Sequence, residues 1–218
     1  MSALRELVEV MDRLRSPGGC PWDAEQTHES LARYLLEETY EVLEALDTGD
    51  RAHLREELGD LLLQVVFHAR IAQEHPTEPF DIDDVAAGIA AKLVSRHPHV
   101  FAEAVAADAA AVQDSWERLK AVEKGRTSVL DGVPTALPAL ARADKLLGRV
   151  ARSGLDVPLV DDGSLGARLL ALVVEARADG LDPEAELRAT LADLTAHVRA
   201  AEAAAPVPPP PLPNDPTS

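Results

Sequence analysis

Two pairs of acids stand in mirror positions about Gly49: Glu38 and Asp60 are equidistant from it, and so are Glu41 and Glu57. Glu38 and Glu41 are spaced i,i+3, and so are Glu57 and Asp60, so on a helix the two carboxylates of each such pair project from one face. Asp47-Thr48-Gly49-Asp50 is a turn signal. Two antiparallel helices joined there bring the four acids to matching heights, about 12 Å or more from the turn at roughly 1.5 Å rise per residue. The surrounding pattern constrains the fold further. Leu31, Leu35, Val42, Ala45 and Leu46 form an apolar stripe that includes Glu38, and Leu54, Leu58, Leu61, Leu62, Val65 and Ala69 form another bordered by Glu57 and Asp60. Neither face carries a Lys or Arg at matching depth. Acids beside a core stripe are costly unless their charge is offset. Four of them together repel unless some are protonated or a cation binds. All-oxygen ligation suits a hard divalent ion, Mg²⁺ or Mn²⁺. The plainer alternative is a solvated acidic helix pair in an acidic chain.

The formal charge of the 218-residue chain is -17, which argues against binding nucleic acid or an anionic membrane through a basic field. A phosphorylated small molecule is still compatible, because a metal ion inverts the local sign. Aromatics make up 3% of residues, too few for a base-stacking groove. Cys20 is the sole cysteine, so no internal disulfide forms, and it reads as a small packed residue. With no signal-peptide pattern and no apolar run of membrane-spanning length, the expectation is a soluble cytoplasmic protein.

Residues 2–15 read as an amphipathic helix ended by Ser16-Pro17-Gly18-Gly19. Cys20-Pro21-Trp22-Asp23 reads as a loop in which Asp23 caps the next helix, and Trp22 is either a packing anchor or a wall of a base pocket. Glu25 and His28 have E-x-x-H spacing, which serves di-iron sites only when a second helix supplies another. The second helix lacks it, so iron is discounted and His28 reads as a polar helix-start residue. Helices are expected over about 28–47, 51–74 and 81–96. Lys92 and Arg96 end the third as an i,i+4 basic pair, either complementing the helix dipole or facing the acids to meet phosphate oxygens. A further helix is expected over about 108–124, containing Trp116, then a Gly/Pro linker, a basic helix over 138–153 with Arg142, Lys145, Arg149 and Arg152, and a Pro-rich disordered tail over 206–218.

One stretch recurs. Glu57–Arg70 aligns without gaps to Ser164–Arg177, with seven of fourteen positions identical. Leu58, Gly59, Leu62, Leu63, Val66, Ala69 and Arg70 return as Leu165, Gly166, Leu169, Leu170, Val173, Ala176 and Arg177. The acids do not return: Ser164 replaces Glu57, Ala167 replaces Asp60, and no second EExxE run precedes this copy at comparable distance. A looser alignment of Asp81–Leu93 with Asp182–Leu194 sets Asp193 opposite Lys92 and, carried on, His197 opposite Arg96. The expectation is an all-α chain with a helical-bundle unit over 1–125, a linker with the basic helix over 126–160, a degenerate and shortened second copy over 161–205, and the tail.

LLEETYE and ELGDLLLQVVFHA, preceded by GGCPWDAEQTH and followed by KLVSRHPHVF, resemble the MazG-type nucleoside triphosphate pyrophosphohydrolases. The resemblance covers about residues 4–125 and continues through 137–156, which is similar to the segment joining the two domains of tandem members. It implies an all-α fold completed by a second chain, hence a homodimer or higher homo-oligomer. It implies Mg²⁺-dependent cleavage of (deoxy)nucleoside triphosphates to monophosphate and pyrophosphate, with Mn²⁺ as a substitute. Carried onto this chain, Glu38, Glu41, Glu57 and Asp60 hold the metal. Glu37, with Glu38, positions or activates water, and Lys92 and Arg96 contact the triphosphate. Trp22 is the candidate base contact. The second copy departs from the family pattern and is expected to be inactive. A narrower pyrophosphohydrolase, such as a dUTPase-like or phosphoribosyl-ATP-type enzyme, and a non-catalytic metal-stabilised helical dimer acting as a regulator are the alternatives.

Overall fold

Ser2 starts the first helix, α1 (Ala3–Arg15), by accepting a hydrogen bond from the Arg5 amide at 3.4 Å. The computed structural model describes residues 2–102, 112 and 127–204. Among them every regular element is a helix. They fall in two compact units, Met1–Lys124 and Gly125–Ser218. The expected helix over 108–124, with Trp116, and the Pro-rich tail lie outside the described residues.

In the first unit, Gly19 follows α1 in a turn so close that a Cβ there would sit 2.3 Å from the carbonyl oxygens of Arg13 and Leu14. Trp22 is not in a loop: Pro21, pre-set for a first helical turn, opens the short α2 (Pro21–Glu25). Asp23 lies inside α2, and Thr27, not Asp23, caps the next helix in a reciprocal pair with Ser30. That helix, α3 (His28–Thr48), ends at Gly49 in the left-handed conformation (φ 69°). Asp50 then accepts hydrogen bonds from the amides of Ala52 and His53 and starts α4 (Arg51–Ala72). The expected hairpin therefore forms about the expected residue. Asp81 and Asp84 make a second capping box for α5 (Ile82–Arg96), and Pro98 opens the short α6 (Pro98–Phe101).

Met11 from α1, Leu31 from α3, and Val66 and Phe67 from α4 form the core, flanked by Leu7, Val8, Tyr34, Leu63, Ile71 and Ile82. Each such side chain contributes about 1.5–3 kcal/mol on burial. The expected stripe on α3 is narrower than its apolar residues suggest: Leu31 and Ala45 are buried, whereas Leu35 and Leu46 are exposed. The three-helix seam leaves only part of the α3 surface covered. Arg15 clasps the lower end, pairing with both Glu74 oxygens and donating to the carbonyls of Asp23 and Gln26. Arg70 on α4 pairs with Asp12 on α1 at 2.7 Å.

The second unit contains α7 (Ala139–Ser153), α8 (Leu165–Ala178) and α9 (Pro183–Ala204). Arg149 of the basic α7 is buried and donates to the carbonyls of Val129 and Asp131 at 3.2 and 2.6 Å. Arg177 of α8 pairs with Asp144 of α7, and Gly148 gives its guanidinium room, since a Cβ there would lie 2.9 Å from it. Val173 is buried while Leu165, Leu169 and Leu172 are exposed. At the aligned positions of α4, Val66 is buried and Leu58, Leu62 and Val65 are exposed.

Candidate active site

The α3–α4 hairpin places Glu38, Glu41 and Glu57 so that one carboxylate oxygen from each lies within 4.8 Å of the others. Helical spacing sets Glu38 and Glu41 on one face of α3, and the Gly49 turn delivers Glu57 opposite them. Glu57 is the most deeply placed, 8% exposed, although its sequence position suggested the border of the stripe. Asp60 is outside this convergence but close enough for its charge to act on Glu38.

The electrostatics follow from crowding. The Glu38 carboxyl is pushed up to about 7, first by burial, then by its hydrogen bond with Glu41, then by repulsion from Asp60, Glu41 and Glu57. Glu57 is also raised, by burial and by Glu41, against the opposing influence of His53. Three oxygens at this separation, flanked by apolar surface, make an acidic donor set of the kind that takes a hard divalent cation. The residues fit such an ion.

Of the other candidates, Glu37 is exposed on α3, outside the three-oxygen group. Lys92 is exposed on α5, whereas Arg96, one turn on, is 8% exposed. Trp22 is 51% exposed, with its ring edge-to-face against Tyr34 at 6.1 Å between centroids. Tyr34 lies one turn before Glu38, so the aromatic pair stands on the same helix as the acids. A cavity of about 310 Å³ opens between α1, α4 and the start of α5, beside Asp12, Arg70 and Ile82, and none of the four hairpin acids lines it.

Three features escaped the sequence reading. His53 Nε2 lies 3.0 Å from Glu57 Oε1, an i,i+4 contact from a histidine on a face that carries no Lys or Arg at that depth. The spacing itself carried that signal. His28 reaches His68 across the hairpin with Nδ1 atoms 2.8 Å apart, so it is more than a helix-start residue. Its signal was near-equal distance from Gly49. Gln64 is buried on α4, and neither its Oε1 nor His68 Nε2 has a hydrogen-bond partner among the described residues. No simple pattern marked Gln64.

Residues 26–101, which include the whole hairpin and α5, match the MazG nucleotide pyrophosphohydrolase domain. The chain is 48% identical over 205 residues to a nucleoside triphosphate pyrophosphohydrolase of Mycolicibacterium smegmatis, covering 92% of this chain and 60% of that protein. It is 45% identical over 202 residues to a nucleoside triphosphate pyrophosphohydrolase of Escherichia coli, covering 89% of this chain and 75% of that one. An uncharacterised 26.1 kDa protein of Streptomyces cacaoi is 54% identical over 201 residues, with 91% of this chain and 82% of that protein covered. The chain thus spans about three fifths of the mycobacterial relative and three quarters or more of the other two. With the acid hairpin in place and relatives matched along nearly its whole length, this chain belongs to the MazG nucleotide pyrophosphohydrolase family.

Proposed function

We propose that the chain hydrolyses (deoxy)nucleoside triphosphates to the monophosphate and pyrophosphate in a Mg²⁺-dependent reaction, with Mn²⁺ as a substitute. The observation that carries this reading is the convergence of Glu38, Glu41 and Glu57 within 4.8 Å. These three, with Asp60 one turn beyond Glu57, would hold the cation. When bound, it supplies positive charge for the phosphate oxygens and acidifies a coordinated water. Glu37, solvent-facing beside Glu38, is assigned to orient the attacking water or accept its proton. Lys92 and Arg96 are assigned to the triphosphate oxygens, where Arg96 offers fixed donors and Lys92 a mobile charge. Trp22, steadied by Tyr34, is assigned as one wall for the base.

The supporting physics is the mismatch between so acidic a protein and a polyanionic substrate. A net charge of -17 repels triphosphate and nucleic acid alike. A cation held by the carboxylates reverses the sign only at the site. No described helix is long and apolar enough to cross a membrane, and a cytoplasmic role in clearing the nucleotide pool is the reading adopted.

The domain assignment is 1–125 catalytic, 126–160 connecting, 161–205 a degenerate copy and 206–218 a tail. Two observations support the copy. Aligned Val66 and Val173 are both buried while Leu58 and Leu62 are exposed like their counterparts Leu165 and Leu169. Aligned Arg70 and Arg177 each pair with an Asp on the neighbouring helix. A homodimer is assigned because α5 exposes Val85, Ile89 and Leu93 along one face. That face is also the observation that favours the second reading, a metal-stabilised regulatory dimer without catalysis. Pyrophosphate release from a panel of canonical and modified triphosphates, with and without Mg²⁺, separates the two. Release only with the metal supports the enzyme, and none from any substrate supports the regulator.

A further inference from the structure

The geometry points to Arg33 as a specificity-determining residue that meets the O6 and N7 edge of a 6-oxopurine base, making guanine-type triphosphates the preferred substrates. This rests on the pyrophosphohydrolase reading and on Trp22 as a wall of the base site. Arg33 lies in the second turn of α3, with Glu29 one turn before it and Glu37 one turn after. Each acid stands at the i,i+4 spacing at which arginine and carboxylate pair on a helix. In a chain of net charge -17 such pairing is the ordinary outcome. The guanidinium instead lies over the Tyr34 ring, with Cζ 4.5 Å from the ring centroid. Its Nη2 donates to the Tyr34 hydroxyl at 2.5 Å. Among the described residues no carboxylate pairs with it.

Tyr34 is shared between two partners. Trp22 meets the same ring edge-to-face, 6.1 Å between centroids, and is 51% exposed. An exposed indole and an exposed planar cation therefore adjoin one tyrosine that is itself packed against the core. The indole offers a face on which any base can stack, so it does not discriminate. The guanidinium does. Among the described residues only one of its N–H donors is used, on the Tyr34 hydroxyl. Whichever Nη2 hydrogen makes that bond, a parallel pair of donors stays open. Such a fork matches the adjacent O6 and N7 acceptors of guanine, whereas adenine presents an N6 donor in place of O6. Hypoxanthine and xanthine keep both acceptors, so the class is the 6-oxopurines. The position agrees with this role. Tyr34 precedes Glu38 by one turn, about 6 Å along α3 at ~1.5 Å per residue. A base held beside Tyr34 leaves the sugar to bridge that step to the α-phosphate at the carboxylates.

The test is pyrophosphate release by the full chain with Mg²⁺, measured as kcat/KM for dGTP, dITP, 7-deaza-dGTP and dATP. The parent, Arg33→Ala and Arg33→Lys are compared, and the melting temperature of each is recorded. The parent is expected to favour dGTP and dITP over dATP. In the parent, 7-deaza-dGTP, which has C–H in place of N7, is expected to lose most of that preference, a result independent of how any variant folds. Arg33→Ala is expected to lower the dGTP-to-dATP ratio by about five- to a hundredfold. Arg33→Lys, which keeps the charge without the fork, is expected to lower it nearly as far. A parent that treats dGTP and 7-deaza-dGTP alike overturns the inference. So does an equal fall for dGTP and dATP in Arg33→Ala, which marks a contact with phosphate or sugar, and so does an unchanged ratio. If the parent releases pyrophosphate from none of these triphosphates, the catalytic reading fails and takes this inference with it. Turnover of all of them without base preference is instead failure at Arg33 alone.

Discussion

His28 Nδ1 and His68 Nδ1 lie 2.8 Å apart, in rings whose planes differ by 1°. One proton between these atoms makes the bond, and a second proton breaks it, because both nitrogens then become donors. Burial, and then the charge of His28, hold the His68 imidazole below its ordinary value of 6.5. A second proton would also fall on a ring whose Nε2 has no partner among the described residues. The pair ties the first turn of α3 to the last turns of α4.

A pH dependence results, with a definite sign. As pH falls through about 6.5, the unfolded chain takes up the proton before the folded one, so stability declines from there downward until the depressed folded value is reached. His68→Phe keeps the ring volume and removes the titration. Melting temperatures between pH 7 and 5 are expected to fall by several degrees less in this variant than in the parent, at about 2–4 °C per kcal/mol for a chain of this size. Identical slopes would show that the His pair does not govern acid sensitivity.

Glu38 gives the opposite slope. Its folded pKa of about 7 lies above its ordinary value of 4.5, so its contribution is complete below 4.5 and is lost as pH rises through 7. Metal-free protein, held in chelator, is expected to lose stability over that window, and Glu38→Gln to lose less of it. Because the His68 slope runs the other way below 6.5, the two single variants must be compared with the double. A Glu38→Gln protein whose melting temperature tracks the parent from pH 5 to 8 counts against the crowded-carboxylate picture.

The hairpin was legible because its determinants are local. Thr27, Gly49 and Asp50 act on backbone groups within a few residues, and an i,i+3 spacing on a helix means the same thing in any protein. The convergence of Glu38, Glu41 and Glu57 followed from those local facts and one mirror symmetry. Depth was less legible. Glu57, not Glu38, is the buried acid, because burial depends on how α1 and α3 seat against α4, and periodicity does not encode that rotation. The helix at Trp22 departs from the expected loop because Pro21 opens a first turn. The His28–His68 bond and the His53–Glu57 contact were not legible for different reasons. The first needs the hairpin register to within one residue. The second needed only the spacing rule already applied to the acids, extended to a histidine.

Ligand removal is the next prediction. Glu57→Gln and Asp60→Asn keep shape and remove a charge. Each is expected to lower Mg²⁺-dependent pyrophosphate release by more than the roughly ten- to hundredfold typical of outer-shell partners. Helical circular dichroism should stay at the parent level, and metal-free thermal stability should hold or rise as repulsion is relieved. The Asp60 variant is the sharper test, because Asp60 stands outside the three converging oxygens. Near-normal turnover in both variants would remove the site assignment.

Assembly is tested through α5. Val85, Ile89 and Leu93 repeat at i,i+4 and lie exposed, an apolar stripe that a second surface must cover to be stabilising. A homodimer is expected by light scattering at assay concentration. Ile89→Glu should shift it toward monomer, since a buried apolar side chain of this size contributes about 1.5–3 kcal/mol. A fully active monomeric parent would refute the dimer.

The last prediction concerns the second unit. At aligned positions it keeps the residue that packs, Val173 for Val66, and the arginine that pairs with a neighbouring helix, Arg177 for Arg70. It does not keep the acids. Ser164 now serves as a helix cap, accepting from the Ala167 amide at 3.1 Å, at the place where Glu57 stands in mid-helix. The helix of the proposed copy thus begins at the position aligned with Glu57, and no second EExxE run precedes it at comparable distance. A unit of this kind is expected to contribute burial and contacts without chemistry. A chain ending at Arg126 is therefore expected to retain turnover within a few-fold, with a lower melting temperature or altered assembly. Turnover is to be measured well below that melting temperature, so that lost burial and lost catalysis are read separately. Folded but inactive protein would mean that the second unit supplies or holds active-site residues. In the full chain, Ser164→Glu with Ala167→Asp is expected to add no activity, because two carboxylates without the opposing pair do not close a cation site. A gain in turnover from that double variant would show that the second unit has kept more of the site than its residues indicate.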